Sequence, residues 1–273
     1  MYETYWQLDE KPFETGADPR FYYPGPSHQA ALLKLRYAVE NCRGGALLAG
    51  PSGCGKTLIV GLLRQMLAPQ YSPLVHLVFP QMSAAELVAY LAGELTGQQP
   101  PERTAGVEES VRRIERFLAD NAAKGRRAVV VIDEAHLCDD PATLEAMRLL
   151  LNFQPHGQPA LTLLLAGQTG VLPILERTPQ LEERLGVKCL LRPFSAEETA
   201  AYVEHRVKVA GGKEPIFEPE ALTALHQLTH GMPRRINRLC DLALLIGYAE
   251  GLRRISAEHL EGVQDELVTV AAD

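Results

Sequence analysis

Cysteine is scarce and scattered in this chain. The five cysteines, Cys42, Cys54, Cys138, Cys189 and Cys240, are odd in number and form no C-x-x-C pair. Neither a disulfide framework nor a thiolate zinc site is indicated, which points to a reducing compartment. Missing too is any run of the roughly 18 to 20 apolar residues that a membrane span needs. The opening stretch MYETYWQLDEKPF carries acids and lacks the apolar segment of a secretory leader. The expected location is therefore cytoplasmic. Positive charge is in deficit, with 27 Lys and Arg against 34 Asp and Glu and a formal net charge of −7. That argues against the basic surface of a non-specific duplex binder and leaves room only for local basic patches. His226 and His230 are four apart and share a helix face, but no third ligand is in view, so they read as surface side chains. Repeats and low-complexity tracts are absent as well. What remains is a chain of 273 residues, 46% hydrophobic, long enough to bury a sizeable core.

Five short apolar runs punctuate residues 45–191: ALLAG after Gly45, LVHLVF at 74–79, AVVVI at 128–132, ALTLLLA at 160–166 and VKCLL at 187–191. Most are continuously apolar, the pattern of parallel strands buried on both faces, and helix-like segments separate them. A doubly wound α/β domain is expected over residues 27–192. Ser83 with Glu86 and Ser195 with Glu198 have capping-box spacing, and Asp140-Pro141 sets a cap before a first-turn proline. After Pro193 the strand pattern stops. Segments near 196–210, 219–230, 233–250 and 256–268 show helical spacing and are broken at Gly211-Gly212, Gly231 and Gly251, giving a helical domain over 193–273. Residues 1–26, rich in aromatics and prolines, read as an extended arm packed on the body.

The first strand runs into GPSGCGKT, Gly50 to Thr57, the G-x-x-x-x-G-K-[ST] pattern in the strand-to-helix setting that the motif requires. Across Gly50, Pro51, Ser52, Gly53, Cys54, Gly55, Lys56, Thr57 and Leu58, backbone N–H groups would curl round the phosphates of ATP at a helix N-terminus. Lys56 would reach the β and γ oxygens, and Thr57 would offer its hydroxyl to Mg²⁺. Cys54 lies inside this loop, where a helix start lowers a thiol's pKa, so a reactive thiol shielded by ATP is expected.

Further along, VVVIDEAHL places Asp133 at the carboxyl end of a buried strand, where ligands of open α/β sheets collect. Asp133 would hold the metal and Glu134 would polarise the attacking water. The letters D-E-A-H also name a helicase class. That reading expects a second motor domain of similar size, whereas about 80 helical residues follow Pro193. His136 then either touches the nucleotide region or faces solvent at a helix start. The fourth strand ends in LLLAGQTG, setting Gln168 at the same sheet edge, within reach of the γ-phosphate or the water. Arg184, in TPQLEERLGVKCLL just before the last strand, would stabilise transition-state charge in a neighbouring subunit's site; Arg177 competes for that role. GMPRRINRLCD opens a helix of the second domain, where Arg234 on a mobile lid would close on the γ-phosphate. Arg235 and Arg238 on the same helix would form a basic patch for an acidic partner or nucleic acid.

With those residues assembled, the chain resembles the AAA+ ATPases, and within them the general secretion pathway protein A (ExeA-like) family. The similarity is carried by KPFETGADPRFYYPGPSHQAALLKL, GPSGCGKT, VVVIDEAHL, LLLAGQTGV, LEERL, FSAEETAAYVEHRVKVAG and GMPRRINRLCDLALLIGYAEG. The resemblance implies a P-loop NTPase fold with a five-stranded parallel sheet and a C-terminal helical lid. It further implies ATP hydrolysis at the interfaces of a homo-oligomer, with Lys56, Thr57, Asp133, Glu134, Gln168, Arg184 and Arg234 in the roles above. It points to a protein partner in secretion or cell-envelope machinery. Compact ATPases of similar type also serve as targeting factors for transposition, for which the partner is DNA.

Overall fold

A computed structural model of the chain describes residues 1–14, 16–98 and 106–269. The last four residues of the expected helical domain, 270–273, lie outside the described residues. The apolar runs form strands β1 (Gly45–Ala49), β2 (Leu74–Leu77), β3 (Ala128–Ile132), β4 (Leu161–Gly167) and β5 (Val187–Leu190). They make one parallel sheet in the order β2-β3-β4-β1-β5. Every residue of β3, β4 and β1 is buried, whereas the outer strands β2 and β5 are only partly covered. The contrast follows position: the central strands are covered on both faces and carry Thr162 as their one polar side chain, whereas the edge strands admit His76 and Lys188.

β2 is shorter than the apolar run LVHLVF suggests. Leu77 pairs with Ile132, the last residue of β3, and the Asp133 amide donates to the Leu77 carbonyl at 2.8 Å. Val78 and Phe79 run past the end of the partner strand, ahead of Pro80, and stay exposed.

The helices are α1 (Pro26–Glu40), α2 (Lys56–Met66), α3 (Ala84–Thr96), α4 (Val107–Ala123), α5 (Pro141–Leu150), α6 (Val171–Glu176), α7 (Pro179–Glu182), α8 (Ala196–Val209), α9 (Pro219–Thr229), α10 (Pro233–Glu250) and α11 (Ala257–Thr269). Both capping boxes are made, at Ser83 for α3 and at Ser195 for α8, and the Asp140 side chain caps α5 ahead of Pro141. No helix among the described residues is long and apolar enough to cross a membrane.

The chain divides into two compact units, one made of Ser27–Pro51 and Ile59–Leu191, the other of Met1–Pro26, Ser52–Leu58 and Arg192–Asp273. The α/β unit has its core on the sheet, with Leu47, Leu77, Leu91, Val130 and Leu163 among the buried side chains. The helical unit gathers the first 26 residues onto α8–α11. These residues are not extended throughout: turns occupy residues 3–7, and a 3₁₀ helix runs over Pro19–Phe21.

Tyr2, Trp6, Phe13 and Phe21 join Tyr202, Leu239, Leu244 and Leu260 in the second core. The Trp6 indole N–H donates to the Leu244 carbonyl at 2.9 Å. Arg206 of α8 is buried with its guanidinium 4.6 Å over the Phe21 ring; it donates to the Tyr202 hydroxyl at 2.9 Å and to the Pro12 carbonyl. A buried cation is thus satisfied by carbonyls and aromatic faces, and it fastens the arm to the helices.

Trp6 is the single tryptophan of the chain, so its fluorescence reports the seating of the arm. Trp6→Ala should cost about 3–5 kcal/mol of stability in the helical unit, as large aromatic truncations do. Chemical denaturation followed by circular dichroism measures this; an unchanged midpoint would show that the arm contributes nothing to the helical core.

Candidate nucleotide site

In the helical unit the loop Ser52–Leu58 meets the start of α10. β1 delivers the chain to the loop and α2 carries it away from Lys56. Gly53 has φ +79°, and a Cβ there would lie 2.8 Å from the Arg234 Cβ, so only glycine fits. The Arg234 backbone N–H donates to the Gly53 carbonyl at 3.2 Å. First-turn amides of a helix lack partners within it, and Met232 provides no side-chain cap. The loop carbonyl therefore satisfies an amide that would otherwise be orphaned. The Arg234 side chain reaches the same loop, with Nη1 3.5 Å from the Ser52 hydroxyl. Lys56 is 7% exposed and Thr57 is exposed.

Cys54 corrects the expectation of a reactive thiol. Its side chain is fully buried, and burial pushes the thiol's pKa up against the opposing pull of Lys56. Desolvation of the thiolate outweighs the nearby positive charge, so the sulfur stays protonated and inaccessible.

In the α/β unit the carboxyl edge of the sheet collects the second group. The Gly50 amide donates to the Gly167 carbonyl at 3.2 Å, which ties the loop's entrance to the end of β4. Asp133 follows β3 on the adjacent strand. With strands about 4.8 Å apart, Asp133, Gln168 and Gly50 follow one another along a single edge.

Asp133 is 2% exposed; its Oδ1 accepts the Glu134 amide at 2.9 Å, and its Oδ2 lies 3.3 Å from His76 Nε2. Glu134 sits in the left-handed region at φ 52°, ψ 34°. For a non-glycine residue this costs of order 1–3 kcal/mol and persists only where surroundings enforce it, as at functional sites. His136 does not face solvent as one of its two readings had it. Its Nδ1 lies 3.3 Å from Glu134 Oε2 and accepts the Gln168 amide at 3.3 Å. His76, the one polar residue in the LVHLVF run, was the signal for a partner to Asp133 that pattern reading passed over.

Arg184 does not join these residues. It is exposed, and its carbonyl accepts the Gly45 amide at 3.0 Å, which places it at the amino edge beside the first residue of β1. The five residues of β1 separate that edge from Gly50, about 16 Å at strand rise. Arg184 makes no ion pair among the described residues; Glu182 pairs with Lys188 instead, and Arg177 donates to the Pro173 carbonyl. His226 bonds with the Thr199 hydroxyl at 3.0 Å, and His230 ends α9 in the left-handed conformation.

These features coincide with what comparison with known proteins finds. A family model described as an AAA domain matches residues 41–175. The fold superposes on the Aeropyrum pernix ORC2 protein in its ADPNP–ADP complexes with a TM-score of 0.71, at 17% identity over 94% of this chain and 72% of that one. The Aeropyrum pernix ORC1 protein in complex with DNA superposes with a TM-score of 0.64, at 20% identity over 88% of this chain and 65% of that one. The chain belongs to the AAA+ family of P-loop NTPases, with a five-stranded parallel sheet and a helical C-terminal part.

Within that family a relative is General secretion pathway protein A of Aeromonas hydrophila, 35% identical over 277 aligned residues that cover 97% of this chain. The chain spans 50% of the length of that relative.

The burial pattern makes a simple labelling prediction. In the native protein, a small excess of a thiol alkylator should modify Cys42, the one partly exposed cysteine, and leave Cys54, Cys138, Cys189 and Cys240 untouched. Peptide mass spectrometry reads this out, and Cys54 modified as fast as Cys42 would contradict the buried loop.

Proposed function

We propose that the chain binds and hydrolyses ATP with Mg²⁺ and serves as an oligomeric conformational switch acting, on the cytoplasmic side, on a protein of secretion or cell-envelope machinery. The observation that carries this reading is the contact of α10 with the phosphate loop, through the Arg234 amide on Gly53 and its guanidinium at Ser52. A helix that caps itself on the loop senses what the loop holds. In this reading residues 27–192 are the nucleotide-binding domain, 193–273 the lid and 1–26 an arm carried by the lid.

The residues present suit a triphosphate and a hard cation. Loop amides and Lys56 hold the phosphate oxygens. The Thr57 hydroxyl and the Asp133 carboxylate are the oxygen donors that Mg²⁺ prefers, and it takes few of these from protein when phosphates and water supply the rest. Consistent with so small a share, no cluster of three or more His, Cys, Asp or Glu among the described residues forms a metal cage by itself. An ion held there would supply neutralisation of phosphate charge.

Glu134 then takes a proton from water, the water oxygen attacks the γ-phosphorus, and the bond to the β–γ bridging oxygen breaks to release ADP and phosphate. Gln168 orients that water, and Arg234 responds to loss of the γ-phosphate by moving the lid. Arg184, about a strand's length from Gly50 of its own chain, acts on a neighbour's site, which makes the active form an oligomer.

The name of the bacterial relative and the net charge of −7 support a protein partner. Five cysteines that form no disulfide, four of them buried, fit a reducing interior. A second reading, a DNA-associated switch, is favoured by the likeness to a DNA-bound ORC1 and by Arg235 and Arg238, which are exposed on α10 without ion pairs among the described residues. ATP-dependent DNA binding with a steep salt slope would establish that reading in place of the first.

Lys56→Ala should abolish nucleotide binding, and Glu134→Gln should keep binding while turnover falls by about 100-fold or more. Calorimetry and phosphate release measure the pair; undiminished turnover in Glu134→Gln would remove Glu134 as the base. Arg184→Ala subunits should be inactive alone and regain activity when mixed with Lys56→Ala subunits, because each supplies what the other lacks. Failure of rescue at every ratio would argue against a shared site.

A further inference from the structure

We propose that an open cavity at the amino edge of the sheet is a second ligand site, built for the phosphate monoester of a small organic molecule. It lies wholly in the α/β unit, and the inference stands apart from ATP hydrolysis.

The cavity, of about 490 Å³, is formed by the connections that lead into β2, β3 and β4, which are neighbours in the sheet. Gln70 and Tyr71 come from the first connection, Arg126 and Arg127 from the second, Pro155 and Pro159 from the third. Open parallel sheets collect ligands at their carboxyl edge, where Asp133, Gln168 and Gly50 stand. The five residues of β3 set this cavity at the other end of the strand that leads to Asp133, about 16 Å away at strand rise.

Its charge points to an anion. Arg20, Arg36, Arg112, Arg148 and Arg192 each pair with a carboxylate. Arg126 and Arg127 pair with none among the described residues, and no acid is among the described residues that line the cavity. Two adjacent cations thus share a concavity without a counter-ion, in a chain whose net charge is −7. Like charges held side by side repel, and an anion between them removes that cost.

The frame is fixed by the fold itself. Gly125, at φ +68°, turns the chain out of α4. The Arg126 amide donates to the Asn121 carbonyl at 3.0 Å and the Arg127 amide to the Gln70 carbonyl at 2.8 Å. Asn121 is buried, and its side chain donates to the Ser72 carbonyl at 2.9 Å. The Tyr71 hydroxyl donates to the Glu40 carbonyl at 3.3 Å, and Pro155 opens a 3₁₀ turn on the opposite wall. Arg127 Nη1 contacts the Cys42 thiol; the other guanidinium N–H groups of the pair have no partner among the described residues.

A carboxylate has two oxygens and one charge, which a single guanidinium fork satisfies. A phosphate monoester carries about −1.5 to −2 charge near neutral pH and three strong acceptor oxygens, which suits two guanidiniums. By itself the phosphate would leave most of the space empty, since pockets of roughly 300–1,000 Å³ take drug-sized molecules. Tyr71, Pro155 and Pro159 supply flat apolar faces for a ring. The ligand class is therefore an organic phosphate monoester with a cyclic body, a nucleoside or a sugar.

The test is calorimetric titration of the full chain, with Lys56→Ala as the background so that the phosphate loop does not compete. The probes are adenosine monophosphate, ribose phosphate, inorganic phosphate and adenosine. One ester should bind at a single site at least about tenfold more tightly than inorganic phosphate, because its body adds contacts of its own, and adenosine should not bind. The tighter ester tells nucleoside from sugar. Adding Arg126→Gln or Arg127→Gln should weaken ester binding on the order of 10- to 100-fold, the scale of lost charge-assisted hydrogen bonds. Because Arg127 also touches Cys42, the exposed Arg126 carries the decisive comparison, with an unchanged melting temperature.

No binding of either ester, or equal binding with and without Arg126, would overturn the site. Inorganic phosphate as tight as both esters would overturn the ester assignment, and adenosine as tight as its phosphate would overturn the role of the arginines. ATP binding retained in Lys56→Ala would count against the nucleotide reading alone, since the Arg126 comparison still reads the cavity.

Discussion

Burial of both faces of β3, β4 and β1 is the constraint from which the arrangement of chemistry follows. A strand with no solvent-facing side cannot carry a carboxylate or an amide along its length without a desolvation cost of several kcal/mol. Polar groups are consequently displaced to the strand ends. Parallel strands present all their carboxyl ends at one edge, so Asp133, Gln168 and Gly50 emerge side by side although they are far apart in sequence. The Asp133 amide on the Leu77 carbonyl and the Gly50 amide on the Gly167 carbonyl fix that edge laterally. Position in the sheet, more than any local propensity, decides where these polar groups gather.

How much of this was legible beforehand depended on range. β3 was readable to the residue because AVVVI has no polar interruption and meets Asp133 at its end. α3, α5 and α8 announced their starts through side chains three residues from their targets, a distance that sequence spacing encodes. The glycine loop was legible because its function demands particular residue types in fixed order. What escaped were relations through space between elements. The His76–Asp133 and His136–Gln168 contacts depend on strand neighbours that adjacent letters do not reveal. The protonation of Cys54 turned on a competition between burial and Lys56 that only packing decides. β2 ended early because its partner ended, a fact written in β3 and not in LVHLVF itself.

The two units divide the functional residues between them. Loop residues 52–58 belong with the helices and the arm, through Arg234 and Gly53, while the acidic pair and Gln168 belong with the sheet. The likeness to General secretion pathway protein A extends over nearly the whole chain and half of that relative. The shared part thus contains the glycine loop, the acidic pair and Gln168 together.

The position of Arg184 at the opposite edge of the sheet from Gly50 also has a geometric consequence. If one copy lends this arginine to the next, the joined surfaces are different patches of the molecule, and every copy repeats the same step. Such a head-to-tail contact closes into a ring only when its rotation divides a full circle, and otherwise it winds into an open spiral. The depth of the sheet then acts as a ruler that sets the offset between successive copies. A few degrees at the joint determine whether the polymer has ends.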